Sequence, residues 1–188
     1  MRVDEINGLL NEQIQQRIKE VKEKIHNMYS ANANIYDAKL LSVIEDIFKE
    51  WKECRGNADI FYIDIWSTRL SVVTNTYEYT IRVYDEGYYY DNEYVEYIWA
   101  SDLNAQFIEE DKLWFTREIN TKLIRAKKYD VKDFLYKYIY ETYIKPMPKE
   151  LGCIEAKVAE LKKLYGMDSD LIISYGEMME KSEIEMKC

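Results

Sequence analysis

The side chains best suited to chemistry in this 188-residue chain are few: one histidine, His26, and three cysteines, Cys54, Cys153 and Cys188. Catalysis by a Ser-His or Cys-His pair would have to run through His26. That residue sits in a helical pattern, distant in sequence from every cysteine, and no Gly-x-Ser-x-Gly segment presents a serine nucleophile. The cysteines are odd in number and widely spaced, with no Cys-x-x-Cys pair. They define neither a disulfide framework nor a zinc site, and they read as thiols in a reducing cytoplasm. Neither Gly-x-x-x-x-Gly-Lys-Ser/Thr nor Gly-x-Gly-x-x-Gly occurs, so backbone phosphate cradles of those kinds are absent. Holding Mg²⁺ on adjacent strands takes an acid followed by Glu-x-Lys. The best match is Asp64 with Glu78-Tyr79-Thr80, where the lysine is missing. The chain is therefore expected to be non-enzymatic, with no metal and no cofactor.

What the sequence has in abundance is acid and tyrosine. The net charge is −9, from 26 basic and 35 acidic residues, and 18 residues are tyrosine. Both concentrate in residues 77–111. The acids there are Glu78, Asp85, Glu86, Asp91, Glu93, Glu96, Asp102, Glu109, Glu110 and Asp111, and the single base is Arg82. The same stretch holds Tyr77, Tyr79, Tyr84, Tyr88, Tyr89, Tyr90, Tyr94 and Tyr97. Residues 112–149 have the opposite balance, rich in Lys and Arg. Same-face neighbours on a strand lie roughly 7 Å apart, so carboxylates interleaved this densely repel one another. They call either for internal cations or for a basic partner. Lys122, Arg125, Lys128 and Lys132, spaced by three or four, form a helical stripe that could fold back on them.

The elements that must position these residues follow from hydrophobic period. Val3, Ile6, Leu10, Ile14, Ile18, Val21, Ile25 and Met28 step by three or four, close to a coiled-coil heptad. Ser30-Ala31-Asn32-Ala33-Asn34 interrupts them, and Tyr36, Leu40, Ile44, Ile47 and Trp51 continue, which predicts an N-terminal helical hairpin over residues 1–56. From residue 57 to 100 the period is two. Phe61–Trp66, Leu70–Val72, Tyr77–Tyr84 and Val95–Trp99 predict an antiparallel meander of three or four strands. Residues 101–188 return to a helical period. Ser101 and Asp130 are candidate caps, Pro146 and Pro148 are stops, Gly166 is a C-cap, and a last helix over Asp168–Met179 carries Leu171, Tyr175, Met178 and Met179. The class is α+β, with the three segments joined in one globular domain. No apolar run is long enough to span a membrane, and the amino end shows no secretory signal, so a cytoplasmic location is expected.

These readings point to a protein that works by binding another protein. An acidic, tyrosine-rich β surface suits a basic groove of the kind that holds nucleic acid, as an inhibitor or neutraliser would occupy it: an antagonist of a defence nuclease, or an immunity protein. The expected contact residues are Glu78, Tyr84, Asp85, Glu86, Tyr88, Tyr89, Tyr90, Asp91, Glu93, Tyr94 and Glu96, with a basic, nucleic-acid-processing protein as partner. Two alternatives stand beside it. One is an assembly protein that forms a homodimer through the first helix. The other is direct nucleic-acid binding by the basic 112–149 segment, which the overall charge disfavours. Because no metal site is expected, prolonged chelation should leave the melting temperature unchanged in a thermal melt. A drop restored by one divalent ion would overturn that expectation.

Overall fold

A computed structural model describes residues 3–88, 95–122, 127–178 and 183–187. The first amphipathic stretch folds as one helix, α1 (Val3–Arg55), in place of the expected hairpin. The interruption holds no Gly or Pro, so only one residue leaves helical geometry. Asn32 takes φ −139° and ψ 26°, and its side-chain amide donates to the Met28 carbonyl at 3.1 Å. A polar side chain that competes for a backbone carbonyl kinks a helix without reversing it.

Arg55 ends α1, and β1 (Tyr62–Ser67) begins a sheet. Thr68 then caps a short helix, α2 (Arg69–Thr74), by accepting from the Ser71 amide at 3.3 Å. The expected strand at Leu70–Val72 is thus a helical turn, ended by Asn75 in the left-handed region at φ 59°. β2 (Glu78–Tyr84) and β3 (Val95–Ala100) complete an antiparallel meander, as the period of two predicts. Next come α3 (Asp102–Lys122), α4 (Lys128–Ile139) with a π-helical turn at Tyr140–Ile144, a 3₁₀ turn at Lys149–Cys153, and α5 (Ile154–Tyr165). Ser101 does cap α3, accepting from the Asn104 amide at 3.2 Å. Asp130 falls instead in the first turn of α4, where its charge suits the helix dipole. Gly166 closes α5 at φ 66°.

The last expected helix is a strand. β4 (Ile172–Glu177) pairs parallel to β1, and β5 (Glu183–Lys187) pairs antiparallel to β4. Leu171, Ile173 and Tyr175 are buried at a spacing of two. A short apolar run fits either period, and β-branched residues beside a free sheet edge decide for strand. The sheet therefore has five strands in the order β3-β2-β1-β4-β5 and is mixed, not purely antiparallel.

One continuous core joins all three sequence segments, from Leu10 on α1 through Ile81 on β2 to Ile173 on β4. Trp51, Tyr79, Tyr143, Phe48 and Phe115 are its largest fully buried side chains. Each contributes about 1.5–3 kcal/mol through burial. The first half of α1 packs along α3 through Lys24–Glu110 and Arg17–Asp111, and Lys39, just past the kink, reaches Asp102 at the start of α3, so the two run antiparallel. Its second half runs parallel to α5, with Lys157 near Glu45 and Phe48 against Tyr165.

Buried tyrosine hydroxyls close the end of the α4 segment. Tyr175 donates its one hydroxyl proton to the Ile144 carbonyl at 2.8 Å, with the carbonyls of Lys145 and Pro146 also within 3.3 Å, and Tyr79 donates to that of Tyr143 at 3.2 Å. Carbonyls orphaned where a helix stops would otherwise lie buried without a donor. Asp111, with no exposed surface, accepts from Arg17 at 2.5 Å, Tyr138 at 2.5 Å and Tyr143 at 2.5 Å. Burial alone would lower the Arg17 pKa, but the bond to Asp111 raises it overall, and both tyrosine hydroxyls are pushed well above their usual range by burial and by the carboxylate. Arg17→Met should destabilise the protein by about 3–5 kcal/mol in urea unfolding, because it leaves a buried carboxylate without its cation. Adding Asp111→Asn should recover much of that loss.

Candidate protein-docking face of the sheet

Alternation along the strands sends the side chains to two faces. Ile63, Ile65, Tyr79, Ile81, Val83, Ile173 and Tyr175 point to the helices and are buried. Tyr62, Asp64, Trp66, Glu78, Thr80, Arg82, Tyr84, Glu96, Ile98 and Ser174 share the other face. Most of the expected contact residues that can be placed lie on this second face or on the turn that follows β2.

Its centre is a cluster around Asp64, which is 1% exposed. Ser174 on β4 donates to Asp64 at 2.5 Å and Tyr88 donates at 2.7 Å. Arg82 lies directly across the strand pair from Asp64, stacks over Trp66 at 4.7 Å and pairs with Glu96 at 2.6 Å. Tyr88 also packs its ring on Tyr62 at 4.5 Å and on Tyr84 at 5.0 Å. It does so from the left-handed region, at φ 50°, a strain of order 1 kcal/mol that these contacts outweigh. Register also separates Asp64 from Glu78. Arg82 is opposite Asp64 and Glu78 lies four residues further along β2, roughly 13 Å away, so the two acids do not form a joint cation site. Among the described residues, no group of three or more His, Cys, Asp or Glu side chains is placed to hold a metal ion.

Six of the eleven expected contact residues lie among the described residues. Tyr84 is buried at 2% exposure, and Tyr88 is half-buried and engaged with Asp64. Asp85 accepts from the Gly87 amide at 2.8 Å and lies 4.0 Å from Arg55. Glu86 and Glu96 are exposed, and Glu78 is half-buried. Tyr89, Tyr90, Asp91, Glu93 and Tyr94 lie outside the described residues.

Among the described residues, the cations that meet the helical acids of this segment come from α1 and α3, not from Lys128 or Lys132. Asp102, Glu110 and Asp111 on α3 meet Lys39, Lys24 and Arg17 of α1, and Glu109 meets Lys112 at 2.7 Å. Lys128 and Lys132 are exposed, Lys132 sitting 5.3 Å over the Tyr136 ring, while Arg125 and the Lys122 side chain lie outside the description. Sequence reasoning missed the roles of Arg17, Asp111 and Ser174. The available signal for Asp64 was an acid embedded in the apolar run Phe61–Trp66.

No protein-family model matches the chain, and comparisons with curated proteins and with solved structures find no match. Fold and site define an α+β protein with a five-stranded mixed sheet. Its helices pack on one face, and a polar, aromatic cluster lies on the other. Tyr88→Phe, which removes one donor to a buried carboxylate, should destabilise the fold by about 1.5–3 kcal/mol in urea unfolding. A change below half a kcal/mol would show that Tyr88 does not hold Asp64 in solution.

Proposed function

We propose that this chain acts by binding a basic protein, docking the acidic strand-and-turn surface around Glu78, Glu86 and Glu96 into a groove that otherwise holds nucleic acid. The observation that supports the reading is a division within the acidic segment. Its helical acids are matched one by one with cations of the same chain. The acids of the sheet face and turn are matched less completely. Neither Glu78 nor Glu86 forms an ion pair with a described residue, and Asp85 reaches Arg55 only at 4.0 Å. The edge strand adds an apolar contact, because Ile98, 60% exposed, lies one row from Glu96 on the same face. An exposed apolar side chain on the same face as Glu96 and Glu78 suits a partner whose cations line an apolar floor. Tyr84 and Tyr88 support this surface from below. Inhibition of the partner would follow from occupying its groove. Among the described residues no helix is long and apolar enough to cross a membrane.

The test immobilises the protein and passes over it a panel of basic nucleases, with duplex DNA as control. Retention of a nuclease at low salt, and its release as salt screens the charges, is the expected result. Changing Glu78, Glu86 and Glu96 together to Gln should slow association by about tenfold and flatten the salt dependence. Ile98→Asp should mainly speed dissociation. Retention of DNA in place of protein, or a panel member retained equally by the glutamine variant, would overturn the proposal.

A further inference from the structure

On the side of the molecule formed by helices, the first half of α1 and the segment after α4 leave a cleft of about 890 Å³ between them. That volume falls within the range of small-molecule sites. Its charge runs against that of the chain. Lys19 and Lys22 on α1 and Lys149 at the start of the 3₁₀ turn line it, with His26 beside them and Glu23 as the single acid. All three lysines are exposed, and none forms an ion pair with a described residue. In a protein of net charge −9, one cleft is thus lined by three lysines and a single acid.

The rest of the lining is of two kinds. Ile18 and Ile25 form an apolar wall, faced across the cleft by Pro146, Met147 and Pro148. At the inner end, Asn104, Thr142 and Tyr143 are buried. The π-helical turn at Tyr140–Ile144 brings Thr142 and Tyr143 to this position. A turn of this type interrupts regular helical bonding and recurs at functional sites.

We propose that the cleft binds a phosphorylated small molecule of mononucleotide size, its phosphates held by Lys19, Lys22 and Lys149 and its planar body between the isoleucine wall and Met147. Lysine binds phosphate as a mobile point charge and needs no glycine loop, so the lack of the usual phosphate-loop motifs does not bear on this site. Several separate ammonium groups favour a multiply charged head over a lone carboxylate. The apolar lining of Ile18, Ile25, Pro146, Met147 and Pro148 favours a ligand with an apolar body over a bare anion. This site is distinct from the sheet face proposed for protein docking, and either can stand without the other.

The probe is ADP, titrated calorimetrically into the full chain, with adenosine, inorganic pyrophosphate and laurate as comparisons. ADP should bind, and adenosine and pyrophosphate, each lacking one half of the ligand, should bind at least tenfold more weakly. Changing all three lysines to Gln should weaken ADP by tenfold or more, since each charge-assisted bond lost counts by about that factor. These residues are exposed, so the variant keeps its fold, checked by its melting temperature. Met147→Glu, at a position 42% exposed, should weaken ADP without altering the fold. No binding of ADP at millimolar concentration, equal binding by the glutamine variant, tighter binding of laurate, or binding of single-stranded DNA that ADP fails to displace would each overturn the proposal.

Discussion

A single buried carboxylate holds the helical layer together. Asp111 belongs to α3, but its partners come from α1 and from the α4 segment: Arg17, Tyr138 and Tyr143. Removing a charge from water is expensive, and the arrangement persists only because a cation and two hydroxyls meet it together. Each of those partners is fixed in turn by packing. Arg17 stacks over Trp114, Tyr138 lies against Phe115, and the Tyr143 ring is buried with its hydroxyl 3.3 Å from the Phe107 carbonyl. Three helices that could slide along apolar seams are thereby locked in one register.

The same logic explains where the tyrosines go. A phenylalanine would fill the space of Tyr79, Tyr143 or Tyr175 equally well. At position 175 it would remove the donor to the Ile144 carbonyl, at 79 one of the two donors to the Tyr143 carbonyl, and at 143 a donor to Asp111. Tyrosine supplies aromatic bulk and a hydroxyl in one side chain. Much of the tyrosine content is therefore structural, spent on joining the sheet to helix ends. Glu150 shows the opposite condition: it is 1% exposed, burial raises its pKa, Ser101 donates to one oxygen, and the other has no partner. For a carboxyl group whose folded pKa lies above its unfolded one, the burden on stability is absent in acid, grows as pH rises from the unfolded pKa to the folded one, and is constant above that.

Charge is organised on two scales. Within the helices, acids of one element face bases of another, which sets the antiparallel course of α1 and α3. On the sheet's second face Arg82 pairs with Glu96, and on the turn Asp85 approaches Arg55 at 4.0 Å. The cleft beside α1 inverts the sign again, with its lysines left to solvent. A chain acidic on average thus presents an acidic surface and a basic one at separate places, and each recommends a different kind of ligand.

The α+β class, the meander β1-β2-β3, the Ser101 cap and the Gly166 stop were legible in the sequence because each depends on neighbours within a few residues. The same local reading placed most of the sheet-face acids beside one another. Tertiary structure decided the rest. Whether Ser30–Asn34 reverses the chain or merely kinks it depends on what α1 packs against, and α3 and α5 extend that packing to both sides of Asn32. Whether Leu171–Tyr175 forms helix or strand depends on an edge of β1 waiting to be paired. Which cations meet the acidic segment could not be read at all. Arg17 and Asp111 stand 94 residues apart, and no local pattern connects a base on one helix to an acid on another before both are folded.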